Sequence, residues 1–354
     1  MKTQFTEFQQ ILTKYYPYHQ SRINFIAAYI LALVKTATVN GTHLAVALNG
    51  KAQPSSNYRR IQRFFASFEF DFTDCARFVL SLLPVKSGYL LALDRTEWKF
   101  GSRWINIHTI GIVFGSMAFP VVWQVVPAKG NSNVLERVDL IKRLLKVIPP
   151  ETIKALLADR EFIGNEWLEY LNDKGIPFCI RIKQNARVQR GDRTIPVHRL
   201  FANLRPRTAR SLAKPQFLYQ QQLCLAGMKL HNEYCIVASN QTDFPILDLY
   251  KERWSIENLF SIFKSRGFYL EETHMTEPAR IEKLIALLTI ALVFVWKTGE
   301  YVSSLRPIII KKHGRKAQSV FRAGLDQLRT ALFHLYDSFQ RRFLKLSFSF
   351  LSCT

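Results

Sequence analysis

Cysteine is sparse in this chain of 354 residues. Cys75, Cys179, Cys224, Cys235 and Cys353 are odd in number and show neither a CxxC pair nor a metal-ligand rhythm. That excludes a disulfide-stapled scaffold and predicts reduced, buried thiols in a cytosolic protein, with no zinc site. Long apolar runs are also missing. The longest, residues 284–296 (LIALLTIALVFVW), is too short to span a bilayer and reads as a buried core helix, so no membrane partner is expected. The opening MKTQFTEFQQ lacks the apolar stretch of a secretory signal. There is no internal repeat, no low-complexity tract and no Gly-rich phosphate loop, so no nucleotide cofactor is expected. Negative charge is the remaining shortage: 27 Asp and Glu stand against 49 Lys and Arg, a net +22, with pI 9.9. A balance this basic suits a nucleic-acid partner. The 48% hydrophobic and 13% aromatic content makes the chain globular, not a disordered basic tail.

Against that background, one segment stands out for what it contains. YKERWSIENLFSIFK carries Tyr250, Arg253, Glu257 and Lys264 at relative positions 0, 3, 7 and 14. At about 100° per residue these fall within an arc of roughly 60° on one helix face, in a row about 21 Å long. Leu249, Ile256, Leu259, Phe260 and Phe263 fall on a separate face that can be buried. One carboxylate aligned with two cations and a phenol suits an enzyme acting on a nucleic-acid backbone. Arg253 offers a planar fork for phosphate and Lys264 a point charge. Arg253 and Glu257 also have the i,i+4 spacing of an ordinary helix pair, and both readings can hold before DNA arrives.

Two upstream aspartates close short apolar runs. Asp94 ends residues 88–94 (GYLLALD), and Asp159 ends residues 153–159 (IKALLAD). Runs of this length read as buried central strands. A carboxylate at the carboxyl end of such a strand faces the crevice where α/β sheets bind ligands. Three carboxylates converging there would repel one another unless neutralised. Their hard oxygens favour Mg²⁺, with Mn²⁺ as a substitute.

The spacing Y-(2)-R-(3)-E-(6)-K is the signature of a large group of insertion-sequence transposases, the insertion-sequence-four family, and this chain resembles them in all four letters and intervals. LALDRTEWKFG and LLADREFIG also resemble the surroundings of that family's two aspartates, and the resemblance runs through most of residues 85–325. It implies an aspartate–aspartate–glutamate metal site with Asp94, Asp159 and Glu257 as catalytic residues and metal ligands. Two ions about 4 Å apart would be bridged by Asp94, with Asp159 and Glu257 each holding one. Tyr250, Arg253 and Lys264 would hold the phosphates and the displaced nucleotide near the cleaved end. The implied activity is cut-and-paste transposition on double-stranded DNA, by a homodimer that brings two ends together. A ribonuclease H-like nuclease that cuts without joining would keep the same acids, and strand transfer separates the two. A non-catalytic DNA-binding protein derived from a transposase is the other rival; it would have no need of the intact acids.

The expected architecture is α/β: a ribonuclease H-like catalytic core with a β-rich insertion, preceded by an all-α domain. Residues 1–85 read as a helical DNA-binding domain. In it Thr42 is expected to cap THLAVALNG, and Ser55 or Ser56 to cap NYRRIQRFFASF. Arg59, Arg60 and Arg63 on the latter helix are candidates for recognising transposon ends, against a plain scaffolding bundle. Residues 86–183 read as three meandering strands, then helix, strand, helix and strand, an order that makes the first and fourth strands neighbours. Residues 184–245 are the β-rich insertion, with QFLYQQQLCLAG and MKLHNEYCIVAS as a hairpin. Ten Lys or Arg against one acid, Asp192, occupy residues 181–214, a composition suited to phosphate. Residues 246–300 complete the core, and 301–354 form a basic helical region. Some family members stack a flipped base on a tryptophan in the insertion, but this insertion has none; Phe217, Tyr219 and Tyr234 are the available aromatic faces. Trp254 is expected to pack. His108, His198, His231, His274 and His313 have no partners at catalytic spacing.

Overall fold

The computed structural model describes residues 5–352 except Asn49, Lys51 and His313, so Cys353 and His313 lie outside the described residues. The chain forms two compact units. One comprises Met1–Pro84, Trp98–Ile105 and Phe260–Thr354; the other comprises Val85–Glu97 and Asn106–Leu259.

The first unit begins with helices α1 (Thr6–Tyr15), α2 (Gln20–Thr36), α3 (Gly41–Ala47), α4 (Pro54–Ser67) and α5 (Phe72–Leu82). Helix α2 buries a nearly continuous apolar surface from Ile23 to Val34 and stops at Ala37, which adopts the left-handed conformation of a helix end. The cap of α3 is Asn40, not Thr42: its side chain accepts from the Thr42 N–H at 3.0 Å. The Thr42 hydroxyl instead donates to the same Asn40 oxygen. Helix α4 starts at Pro54 after Gln53, so Ser55 and Ser56 lie inside its first turn. Proline suits that position because its φ is already helical and its missing N–H would have had no partner. Ile61, Phe64 and Phe65 face inward, with Phe64 against Phe25 at 4.5 Å between ring centroids.

The second unit is built on a sheet. The sheet's first strands are β1 (Tyr89–Phe100), β2 (Arg103–Phe114), β3 (Met117–Val126), β4 (Ile153–Ala158) and β5 (Phe178–Ile182), of which the end of β1 and the start of β2 count with the first unit. A separate hairpin follows, β6 (Arg187–Arg190) with β7 (Arg193–Pro196). Then come β8 (Ala209–Ser211), β9 (Gln216–Leu218), β10 (Gln221–Lys229) and β11 (Tyr234–Ser239). The main sheet runs β3-β2-β1-β4-β5-β11-β10-β8, with β9 on β10. Strand β1 is parallel to β4, and β4 to β5; β2–β3, β5–β11, β10–β11, β8–β10 and β9–β10 are antiparallel. The hairpin expected from the insertion is β10–β11. It does not stand apart: β11 pairs with β5, so the insertion's strands extend the central sheet.

Helices α6 (Val134–Leu144), α7 (Asn165–Asp173), α8 (Ile246–Lys251) and α9 (Ser255–Ser261) complete the segments around this sheet. Helix α6 opens with a capping box, in which Asn133 and Glu136 each bond the other's backbone N–H. Helix α8 packs through Ile246 and Leu249 onto Ala155, Leu157, Cys179, Ala226 and Val237. Leu156 and Ala158, which alternate with Ala155 and Leu157 along β4, are equally buried. Both sides of that strand are therefore covered, which is why its sequence is a continuous apolar run.

Helices α10 (Pro278–Leu305), α11 (Val320–Phe333) and α12 (Ser338–Ser349) belong to the first unit. The apolar run 284–296 is indeed the buried heart of α10. Phe8 of α1 stacks on Phe294 at 5.6 Å and on Phe348 at 5.1 Å. Gly299 and Gly324 let α10 and α11 approach closely, because a Cβ on either would collide with the facing backbone. No single described helix is long and apolar enough to cross a membrane; the pair α2–α3, which meets the length and composition test together, is bent by 108°.

Candidate active site

The parallel pairing of β1 with β4 sets Leu93 opposite Ala158, so the next residues, Asp94 and Asp159, follow side by side; Asp159 lies just past the end of β4, but Asp94 is inside β1 and not at its end as expected. Each carboxylate accepts the N–H of the following arginine at 2.8 Å, Asp94 from Arg95 and Asp159 from Arg160. Strand β1 continues beyond Asp94 to Phe100. Arg95 then points its guanidinium at Glu161 (2.9 and 3.0 Å) and Glu97 (2.8 Å). This ion network, beside both aspartates, was not anticipated from sequence; the only signal was the repeated Asp-Arg step at 94–95 and 159–160.

The third acid arrives on the chain after α8. That helix is fixed to the sheet by Ile246 and Leu249, and its end presents Tyr250, whose hydroxyl donates to Asp159 Oδ1 at 3.3 Å. The expected uniform helix is not formed. A 3₁₀ turn at Glu252–Trp254 separates α8 from α9, and a π turn at Ile262–Arg266 follows. The 3₁₀ turn aims Arg253 inward and leaves Trp254 61% exposed, so Trp254 does not pack as expected. Helix α9 carries Glu257 and is held by the Asn258 amide, which donates to the Ser116 carbonyl at 2.7 Å.

Arg253 ties these parts together. Its Nη1 donates to Asp94 Oδ2 at 2.9 Å and its Nη2 to Glu257 Oε1 at 2.7 Å. Its guanidinium also lies 5.7 Å from the centre of the Tyr250 ring. The side chain is only 10% exposed. Burial alone would lower its pKa, but Tyr250, Asp94 and Glu257 outweigh that and hold it further above the ordinary arginine value. Burial pushes the Asp94 carboxyl up to about 6; Arg253 and the Arg95 N–H pull it down, while Glu161 and Asp159 add repulsion. Burial likewise raises the Tyr250 phenol, so it stays a hydrogen-bond donor.

The structure thus brings together five residues: Asp94, Asp159, Tyr250, Arg253 and Glu257. Lys264 lies in the π turn and belongs to the other unit, where its Nζ pairs with Glu271 at 2.8 Å and lies 5.9 Å from the Trp98 ring centre. The single arc drawn from ideal helix geometry assumes one pitch, and the chain changes pitch twice along this segment. Arg59, Arg60 and Arg63 are exposed on α4, and none is paired with a carboxylate among the described residues. Arg60 leans on the Phe25 ring at 5.1 Å. A cavity of about 630 Å³ is lined by residues of the helical unit, including Tyr29, Arg103 and His274, and by none of these acids. Among the histidines, His108 is buried and held neutral, its pKa lowered to about 4 by burial and by Arg95 and Arg137.

The donor set of Asp94, Asp159 and Glu257 consists of carboxylate oxygens, which fits a hard divalent cation. As the side chains stand, no three acids, histidines or cysteines among the described residues are gathered closely enough to hold an ion. The guanidinium bridging Asp94 and Glu257 is the cation they share.

A family model, the transposase DDE domain, matches residues 86–294, more than half of the chain. The chain belongs to the DDE transposases. No curated protein matches it. Membership makes DNA the substrate class and divalent metal the usual cofactor of this transposase.

Proposed function

We propose that this transposase carries out cut-and-paste transposition as a member of the insertion-sequence-four group, hydrolysing the phosphodiester at each end of its element and joining the freed 3′-hydroxyls to target DNA. The observation that carries the reading is Asp94 beside Asp159 on adjacent parallel strands, with Glu257 tied to Asp94 through Arg253. The strand order β3-β2-β1-β4-β5, with β2–β3 antiparallel and β1–β4 and β4–β5 parallel, supports a ribonuclease H-like core.

Asp94, Asp159 and Glu257 would hold two Mg²⁺ ions, with Mn²⁺ able to substitute; when bound, these neutralise the acids and activate the oxygens of an in-line displacement. The protein's own groups do the positioning. Tyr250 orients Asp159 through its hydroxyl, and Asn258 fixes the helix that carries Glu257. Arg253 and Lys264 serve the phosphates at the cleaved end. The exposed Arg59, Arg60 and Arg63 contact end DNA. Arg190, Arg210 and Lys214, which line one recess of the basic segment, bind backbone phosphate. Cleavage of two ends in concert requires a homodimer on DNA.

The test is an excision assay with the gene and its flanking DNA on a plasmid, comparing wild type with Glu257→Gln. Excision that needs Mg²⁺ and Glu257 supports the reading. Cleaved ends that are never joined to target would replace it with a nuclease. Full excision by Glu257→Gln would remove Glu257 from the chemistry.

A further inference from the structure

Arg253 spends its fork in an unusual way. A guanidinium facing one carboxylate ordinarily makes two parallel bonds to it. Here the two terminal nitrogens go to two different acids, Asp94 and Glu257, and the third acid, Asp159, is engaged by Tyr250. All three acids of the site are therefore occupied by residues of the same short segment. The turn that carries Arg253 is a 3₁₀ interruption between two anchored helices. Helix α8 is docked through Ile246 and Leu249, and α9 through buried Ile256 and Leu259 and the Asn258–Ser116 bond. A 3₁₀ break inside a helix often marks a hinge. A small change of pitch there swings the Arg253 side chain without undocking either helix.

We propose that Arg253 is a counter-ion latch: in the DNA-free protein it holds the place between Asp94 and Glu257 that a divalent cation takes in the working site, so that cation binding and the release of Arg253 toward a substrate phosphate are one coupled step. The inference rests on the metal-site reading above and adds its regulation. One positive charge offsets only part of the charge of three carboxylates, so the latch closes the site without satisfying it. A divalent ion must displace Arg253, which raises its apparent Kd by the reciprocal of the fraction of open molecules. A phosphate that takes up the freed guanidinium relieves that competition, and the coupling is necessarily reciprocal.

The test is Mn²⁺ binding to DNA-free protein, followed by the electron paramagnetic resonance of the free ion. Wild type is compared with R253Q, R253K, R160Q and D94N, each checked for folding by a thermal melt. Arg160 follows Asp159 but pairs with Glu233 at 3.6 Å, so R160Q removes the same charge without touching the latch. R253Q is expected to bind Mn²⁺ more tightly than wild type, on the order of tenfold, with R160Q changed far less. R253K, whose point charge cannot fork between two acids, is expected in between, and it carries the test if R253Q does not fold. Equal or weaker binding by R253Q, or an equal gain in R160Q, would overturn the latch. The metal reading itself is read from D94N. If D94N binds Mn²⁺ as wild type does, the triad is not the metal site and both ideas fall; if D94N loses Mn²⁺ while R253Q gains nothing, only the latch falls.

Discussion

Replacing Asp94 by Asn tests the electrostatics of the site while keeping its shape. The Asp94 carboxyl titrates near 6 instead of its ordinary 3.8, chiefly because burial disfavours its charged form. Its side chain is 17% exposed, so solvent screens little of that penalty. A group with a raised acid pKa binds more protons folded than unfolded between about pH 4 and 6. Wild-type stability therefore falls as pH rises through that window. A shift of roughly two units corresponds to about 3 kcal/mol, the most that this carboxylate can cost once fully ionised. Asn mimics the neutral form at every pH. The advantage of Asp94→Asn over wild type should thus be near its minimum at about pH 4, grow through pH 6 and level off above. In a unit of this size about 3 kcal/mol corresponds to roughly 6–12 °C in Tm. The assay is a series of thermal melts of both proteins from about pH 4.5 to 7.5, with divalent ions chelated. The offset absorbs any packing difference, so the slope is the prediction. A difference that is flat with pH, or that shrinks as pH rises, would refute the reasoning. Adding Mn²⁺ at pH 7 should stabilise wild type and not the variant.

Arg253→Ala should weaken binding to transposon-end DNA and reduce its salt slope by about one; an unchanged slope would exclude a phosphate contact. Trp254→Ala should leave Tm nearly unchanged, because the side chain is 61% exposed. The same variant should weaken binding to ends carrying unpaired bases by about 1–3 kcal/mol, and unaltered binding would exclude stacking. Gly299→Ala and Gly324→Ala should each lower Tm, since the added Cβ falls on Val320 or Val295 backbone across the α10–α11 contact. Overpacking of this kind typically costs about 1–3 kcal/mol, and a melt at the wild-type temperature would show that the helices have room to separate.

Sequence legibility followed the range of the interactions. Asp94 and Asp159 could be singled out because a central strand covered on both sides needs an unbroken apolar run, and each acid closes one; Asp159 does follow the end of β4, whereas Asp94 lies in the middle of β1, where the apolar run stops but the strand does not. The Arg253–Glu257 pair could be placed because i,i+4 neighbours meet in almost any helix-like segment. The continuation of β1 to Phe100 was hidden, since the apolar run stops at Asp94 and the Arg95–Glu161 pair beyond it joins segments distant in sequence. The pairing of Lys264 with Glu271 was not legible, because Lys264 sits in a π turn that ideal periodicity cannot anticipate. The pairing of β11 with β5 is a contact between distant segments with no local mark. The caps turned on single residues: Asn40 outcompetes Thr42, and Pro54 sets the start of α4 ahead of either serine.

Tyr250, Arg253, Glu257 and Lys264 form a four-letter pattern in the sequence. In this protein three of its members already act as an electrostatic unit. Two aspartates delivered by neighbouring strands and a glutamate delivered by a helix create negative charge in a partly buried crevice, where it is poorly screened. The chain carries a large positive excess, but surface lysines and arginines a Debye length away do little for buried carboxylates. What neutralises them must be local and must come with the glutamate, or the helix carrying it would be repelled from the sheet. Arg253, one turn before Glu257, meets that requirement by bonding Asp94 on one side and Glu257 on the other. Tyr250, one turn earlier again, keeps its proton and gives Asp159 a neutral donor. A lysine at 253 would keep the charge and lose the bridge, because one ammonium cannot reproduce the planar fork. The spacing between these letters therefore matches the placing of Asp94 and Asp159 on two neighbouring strands.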